Sequence, residues 1–398
     1  MSNSLSFLLG AGFSAPMGYP IGNQLNDLLL KCDGNDFSFH TNGSLIPPKN
    51  GQKINLGPKT SYDFEYDFCR DLMHYFNDKK GYFDYEEFYD FFMDEAKNDS
   101  EVKELFKNNN YRTRIDLDQM LSAIRNIFSQ LVSHFLVDKD GNSWYDSAGH
   151  MGKPIFTGYT GILNSLEKFG LENEVNIHTL NHDLFFERLA KTDWLNNELS
   201  DGFDDLGSPY YGQLTIENRD YKCRLQRYTG NYPKKFKLYK LHGSKDYATY
   251  YGIDVDRRIR IPEIYLKTRW GIGFSDFYKE IKNKEGHLFY DRGGFDFHAD
   301  FLTGTTSKIE RYSEPLFFNK LFKKFKENLE KTNMLIIVGY GCRDKGINKI
   351  IVENFDYQNK PSFIIDPYAG EEVIAFKDKL GSRLVAKELE KIKINDLE

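Results

Sequence analysis

At 398 residues, with 40% hydrophobic and 16% aromatic content, the chain holds two or three domains' worth of core, or one large α/β domain with insertions. A net charge of −6 argues against a strong nucleic-acid surface of its own, because phosphate binding runs on Lys and Arg. Mean hydropathy of −0.59 and the lack of a long apolar run exclude a membrane-spanning helix, and no basic stretch precedes an apolar one at the start, so no signal peptide is expected.

Ser6-Phe7-Leu8-Leu9 has β-forming character and ends at Gly10. Gly10, Gly12 and Ala15 then fit G-x-G-x-x-G/A, a spacing that turns a strand into a helix whose free amides face an anion. Ala11 and Ser14 lie in the same turn, and Ser14 adds a hydroxyl. Such turns are common, and a tight turn without a ligand has the same spacing. A helix is expected over 21–30. Residues 33–61 read as loop, since Pro47-Pro48 opposes regular structure. Tyr85, Phe88, Tyr89 and Phe92 fall at i, i+3, i+4, i+7, and a longer helix is expected from Arg114 to Val137. Residues 62–140 therefore read as an inserted helical module, its aromatic face either a packing core or a partner surface.

The α/β pattern resumes after Gly158. A helix carries Ile162, Leu163, Leu166 and Phe169, and a strand runs from Val175 to Thr179. Leu180-Asn181-His182-Asp183 sits at its carboxyl end, where open α/β sheets bind ligands. Residues 195–235 read as irregular. Phe236 to Leu241 reads as a strand ending in His242-Gly243-Ser244, and 245–297 as a second, irregular insertion. Ala299 to Thr303 reads as a strand running into Gly304-Thr305-Thr306-Ser307. The helix over 316–329 carries Lys320, Lys323, Lys324 and Lys326, a solvated basic face rather than a DNA contact. Met334 to Val338 is apolar throughout, as in a doubly covered parallel sheet, and ends in Gly339-Tyr340-Gly341. Ser362 to Ile365 is a further strand, ending in Asp366-Pro367, and a helix, a short strand and a charged tail are expected over 370–398. The expected fold is a Rossmann-like α/β domain over 1–61 and 141–398, with about six mostly parallel strands and helices on both faces.

Each of these strands ends in Gly, Ser, Thr, Asn, Asp or His. In a parallel sheet those ends share one edge and line one cleft. Taken singly, Asn181 and Asp183 are equally good helix caps, His242 a structural histidine, and Thr305 and Ser307 turn residues.

Taken in order, the clusters resemble the sirtuin family. Gly10-Ala11-Gly12-Phe13-Ser14 with Gly18-Tyr19-Pro20 resembles its G-A-G-x-S-x-x-x-G-x-P loop. Thr179 to Asp183 is similar to its T-x-N-x-D, His242-Gly243 to its catalytic His-Gly, and Gly304-Thr305-Thr306-Ser307 to its G-T-S turn. After the proline this chain has Ile21-Gly22-Asn23 instead of Asp-Phe-Arg, and the zinc-ribbon cysteines are missing. Cys32, Cys69, Cys223 and Cys342 form no C-x-x-C, so no metal is expected and a reducing cytosol is the natural compartment. The chain thus looks like the zinc-ribbon-less sirtuin-like NAD hydrolases of bacterial antiphage defence, whose G-Y-x-x-x-D pattern is matched by Gly339 to Asp344.

That resemblance implies cleavage of the nicotinamide–ribose bond of NAD to nicotinamide and ADP-ribose, in the cytoplasm, during infection. It implies that Gly10, Ala11, Gly12 and Ser14 cradle the phosphates and that Asn181 binds the nicotinamide ribose or water. Asp183 would contact the carboxamide, and His242 would be the general base, suited by its usual pKa of about 6.5. Gly304, Thr305 and Ser307 would hold the adenosine ribose, with Gly339, Tyr340 and Asp366 in the same binding region. Control through a homo-oligomer or a HerA-type hexameric translocase is also implied. The alternatives are an ADP-ribosyltransferase or deacylase at the same site, and an NAD- or ADP-ribose-binding regulatory subunit of a partner ATPase.

Overall fold

Alternate residues of strand Asn3–Leu9 face opposite cores. Leu5, Phe7 and Leu9 enter one and Leu8 the other. Strand Met334–Val338 divides likewise, Ile336 and Val338 to the first core, Leu335 and Ile337 to the second. Strands apolar on both faces must be covered on both, which is the condition of a parallel sheet between helices. The computed structural model meets it with seven strands, all paired parallel, in the order Arg383–Val385, Ser362–Ile365, Met334–Val338, Asn3–Leu9, Asn173–Thr179, Phe236–Lys240, Leu199–Ser200. It describes residues 3–34, 36–49, 53–54, 57–108, 115–139, 153, 155–254, 259–269, 271–296 and 298–398.

Helices Thr160–Glu172 and Phe185–Leu189 cover the first face through Leu163, Leu166, Phe185 and Leu189. Helices Phe318–Lys331, Lys345–Asn354 and Glu371–Leu380 cover the second through Phe325, Ile347, Ile351 and Phe376. This is the expected Rossmann-like α/β class. Lys320, Lys323, Lys324 and Lys326 all lie exposed on the outer side of Phe318–Lys331. No described helix is long and apolar enough to cross a membrane.

A third core joins helices Ser61–Lys80, Tyr85–Asp90 and Leu117–Phe135 to Leu25 and Leu29 of helix Gly22–Leu30. Its centre is aromatic: Phe88 stands 5.2 Å from Phe128 and 5.3 Å from Phe92 between ring centroids. The expected helix over Arg114–Val137 is shorter, because the Asp116 carboxylate accepts the Gln119 amide and starts it at Leu117. Arg114 and residues 140–150 lie outside the described residues.

Three expectations need correction. Ala299–Thr303 is no strand of the sheet; Phe301 makes one isolated bridge to Gly243 and is buried with Ala299 in the helical core. A short apolar run reads alike whether it pairs or is merely covered. Residues 195–235 are not irregular, since they hold strands Leu199–Ser200, Gly202–Asp204, Tyr210–Ile216, Arg219–Arg224 and Gln226–Asn231. Nor is 245–297: Tyr247–Asp254, Ile259–Lys267, Phe277–Lys282 and Leu288–Asp291 interleave with the previous group in two four-stranded antiparallel sheets.

Candidate functional site

Along the carboxyl edge of the parallel sheet the strand ends present, in spatial order, Asp366, Gly339, Gly10, Asn181 and His242. The chain leaves Asn3–Leu9 toward Asn173–Thr179, and leaves Met334–Val338 toward Ser362–Ile365 on the other flank. The two following loops diverge, and the crevice between them is the topological switch point where such sheets take ligands.

The glycines at this point are required first by each other. A Cβ on Gly10 would lie 2.6 Å from the Gly339 oxygen, and one on Gly12 2.9 Å from the Gly339 Cα. Gly339 has φ +57, and its Cβ would stand 2.4 Å from the Phe13 nitrogen. The amides of Gly10, Gly12 and Phe13 donate to the oxygens of Val338, Gly339 and Gly10 at 3.0, 2.9 and 2.9 Å. Three amides of the turn are thus bonded within the protein, unlike the expected turn with its amides free. Ala11 and Gly12 remain exposed beside the crevice.

Asn181, Ser14 and Asp183 form one unit across the two loops. The Asn181 side-chain amide donates to the Gly10 oxygen and to Ser14 Oγ, both at 2.9 Å. The Ser14 hydroxyl also faces the Asp183 carboxylate, which accepts the Phe185 amide at 3.0 Å. Asp183 is not the N-cap of helix Phe185–Leu189, which is Leu184; from one residue earlier it accepts the helix's first amide and faces Ser14 as well. Burial raises its pKa, opposed by the Lys240 ammonium and the Ser14 hydroxyl. The neighbouring His182 was not assigned a role from sequence. Its ring is buried 4.7 Å from Phe301, and its Nδ1 has no hydrogen-bond partner among the described residues. Burial, then Lys240, lowers its pKa to about 3, so it is neutral.

His242 follows strand Phe236–Lys240 and is buried. Its Nε2 lies 3.4 Å from the Tyr312 hydroxyl and 3.6 Å from Asp344 Oδ2. Burial, then the Lys308 ammonium, holds its pKa well below 6.5 while Asp344 opposes them. The expected near-neutral pKa is therefore corrected: His242 is a neutral imidazole. Asp344 caps helix Lys345–Asn354 through the Ile347 amide at 3.0 Å, and the Tyr340 hydroxyl donates to the Asp344 carbonyl oxygen at 3.1 Å and to Asn348 Oδ1 at 2.9 Å. Tyr340 thus braces the loop that carries Asp344. Tyr312, Lys308 and Glu86 escaped sequence reasoning, because Lys308 and Tyr312 sit on one short helix and its end, Glu86 comes from a distant helix, and no shared motif marks them.

The Gly304 turn reaches the same edge by another route. The Leu302 amide donates to the His242 carbonyl oxygen at 2.7 Å, and Gly304 turns with φ +98. The Thr305 amide, its hydroxyl and the Thr306 amide all donate to Asp90 Oδ2, at 2.8, 2.6 and 2.8 Å. Thr305 is therefore held by a carboxylate from helix Tyr85–Asp90. Ser307 opens helix Ser307–Arg311, and its side chain lies outside the described residues. Asp366 accepts the Tyr368 amide at 2.8 Å on the flank of Gly10 opposite Asn181, so it is not brought beside His242.

A cavity of about 350 Å³ opens elsewhere, at the side of the sheet, lined by Glu187, Asp201, Phe203 and Lys267 and by neither Asn181 nor His242. Lys267 pairs there with Glu187 at 3.0 Å and Asp201 at 2.6 Å, which spends its charge inside the fold. At the carboxyl edge, by contrast, a neutral imidazole, a fixed carboxamide and a buried carboxylate stand beside the glycine-lined crevice.

No protein-family model matches the chain, and no curated protein matches it. Among solved structures it is similar to a Sir2 enzyme, from work on the mechanism and regulation of Sir2 enzymes, with 10% identity over 99% of this chain and 91% of that one, at a TM-score of 0.36. It is also similar to a Sir2 homolog–NAD complex, with 10% identity over 100% of this chain and 88% of that one, at a TM-score of 0.36. What the chain does is therefore read from its own side chains.

Proposed function

We propose that the chain hydrolyses NAD at the nicotinamide–ribose bond, in the cytoplasm of a bacterium, and so depletes NAD during phage infection. One observation carries the reading. A single sheet edge holds the glycine crevice, the Asn181–Ser14–Asp183 unit and the neutral His242, in the order that resembles the sirtuin motifs. The C1′–nitrogen bond breaks with its electron pair leaving on nicotinamide, and the ribose carbon passes through an oxocarbenium-like state. Water adds its oxygen to C1′, and its proton goes to the His242 imidazole and then to solvent. The products are nicotinamide, ADP-ribose and one proton. The Asn181 carboxamide orients the ribose or the water, Asp183 receives the nicotinamide carboxamide, and the exposed Ala11-Gly12 crest lies along the pyrophosphate.

The test is nicotinamide release by the purified chain, beside His242→Ala and Asn181→Ala. Both variants are expected to lose at least ~100-fold of the rate, the usual contribution of a positioned base or its partner. Release unchanged in both overturns the site. A second reading, an NAD- or ADP-ribose-binding regulatory subunit, is favoured by Asp90 already holding Thr305 and Thr306. Calorimetric binding without release, with or without a HerA-type translocase, would select it. Transfer of label from NAD to protein would select an ADP-ribosyltransferase instead. The restraint that such a hydrolase needs is assigned to a homo-oligomer and to a HerA-type translocase, testable by light scattering of the chain alone and mixed.

A further inference from the structure

Three segments of the chain, at Glu86, at Lys308–Tyr312 and at Asp344, meet behind His242. The Glu86 carboxylate of helix Tyr85–Asp90 stands 3.0 Å from the Lys308 ammonium. Lys308 is 3.1 Å from Asp344 Oδ2, and the same Oδ2 is 3.6 Å from His242 Nε2. The Tyr312 hydroxyl donates to Asp344 at 3.3 Å and its ring stacks on that of Phe322 at 3.8 Å between centroids, which fixes the phenol beside the imidazole. The side chains of Lys308, Asp344 and His242 are 5%, 6% and 6% exposed, so solvent screens these charges little.

We propose that Asp344 and Lys308 are positioning residues for His242, and that Glu86 connects the helical segment to that histidine through them. The role in catalysis rests on the hydrolase reading; the connection of charges does not. Two carboxylates share one ammonium, and Asp344 is the carboxylate that faces the imidazole. Lys308 divides its charge between Glu86 and Asp344, so the grip of Glu86 on Lys308 sets how much of the Asp344 charge reaches His242. The other groups facing the ring carry no competing charge: His182 is neutral at 6.3 Å between centroids, and Tyr312 is a neutral phenol. Lys240, on the strand before His242, turns to Glu187 at 3.4 Å and Ser244 at 2.6 Å. A displacement of helix Tyr85–Asp90, by a partner or by assembly, would thus retune the base without touching it.

The experiment is the titration of the His242 ring carbon proton by NMR in the full chain, paired with the pH profile of nicotinamide release. Lys308→Met leaves two carboxylates uncompensated and should raise the His242 pKa by about 1 unit. Adding Glu86→Gln to that variant should return about half of the shift, whereas Lys308→Arg should leave the titration near wild type. The acidic limb of the rate profile should follow in the same direction, because the neutral imidazole is the active form. Lys308→Gln carries the same expectation and serves if the Met variant does not fold. A His242 titration unmoved in Lys308→Met, or a shift that Glu86→Gln fails to reduce, overturns the proposal. The NMR arm decides the proposal even if no nicotinamide is released, a result that would sink the hydrolase reading alone.

Discussion

The Asn181 end and the His242 end of the same sheet edge are built in different ways. The Asn181 side chain is held from the loops that follow two adjacent strands: Gly10 and Ser14 after one, with Asp183 after the other joined through Ser14. The unit is a set of hydrogen bonds supported by backbone pressed on backbone at Gly339. Around His242 the partners are Tyr312, Asp344, Lys308 and, behind them, Glu86, and most of the interaction is between charges. The first end is a local construction that comes with the strand pair. The second exists only when the helical segment and the far half of the chain have both arrived, which makes it the end open to control.

The comparison can be broken most directly at Gly339. Gly339→Ala forces a Cβ into the Phe13 backbone at positive φ and should cost about 3 kcal/mol, read by denaturant unfolding. A change near zero would mean that the Asn181 end does not rest on that contact. A smaller effect comes from His178, deeper on the strand that carries Asn181. Its Nδ1 donates to the Phe7 oxygen at 3.0 Å while its Nε2 accepts from the Asn328 amide at 3.0 Å, so a second ring proton has no acceptor. Burial lowers its pKa from 6.5 to about 3, so the unfolded chain binds more protons between those values. Stability is full above the unfolded value and falls as the pH drops, by about 2 kcal/mol between pH 7 and pH 5 from this group alone. Equal unfolding free energies at the two pH values would remove His178 from the account. The smallest effect sharpens the His242 side: Asp90→Asn weakens three hydrogen bonds onto one oxygen and should cost about 1 kcal/mol, seen as roughly fivefold faster exchange of the Thr305 and Thr306 amides. Exchange unchanged there would mean that helix Tyr85–Asp90 does not hold the turn.

The sheet was legible because its strands are short apolar runs stopped by glycine or a small polar residue. Asn3–Leu9, Asn173–Thr179, Met334–Val338 and Ser362–Ile365 all lie on or within a few residues of the expected strands. The antiparallel sheets were not legible for the opposite reason. Arg219–Arg224 is exposed at five of its six residues, so it carries no apolar alternation to read. Ala299–Thr303 misled in the other direction, since Phe301 and Leu302 are buried as deeply as sheet residues without pairing in the sheet. In the candidate site, Asn181, Asp183 and His242 stand out because each follows closely on the end of an apolar strand. Lys308, Tyr312 and Glu86 carry no such mark, being ordinary residues of helices and turns.

The amino-acid sequence by itself determined the parallel α/β class and the residues at the ends of five of the sheet's strands, because both follow from local pattern: where an apolar run stops, and what stops it. Only the tertiary structure decided that Gly10 and Gly12 make way for Gly339, that Asp90 holds the Thr305 turn, and that His242 is kept neutral among Asp344 and Lys308. Those outcomes depend on close approach and on charge in a buried place, and neither has a period or a spacing along the chain.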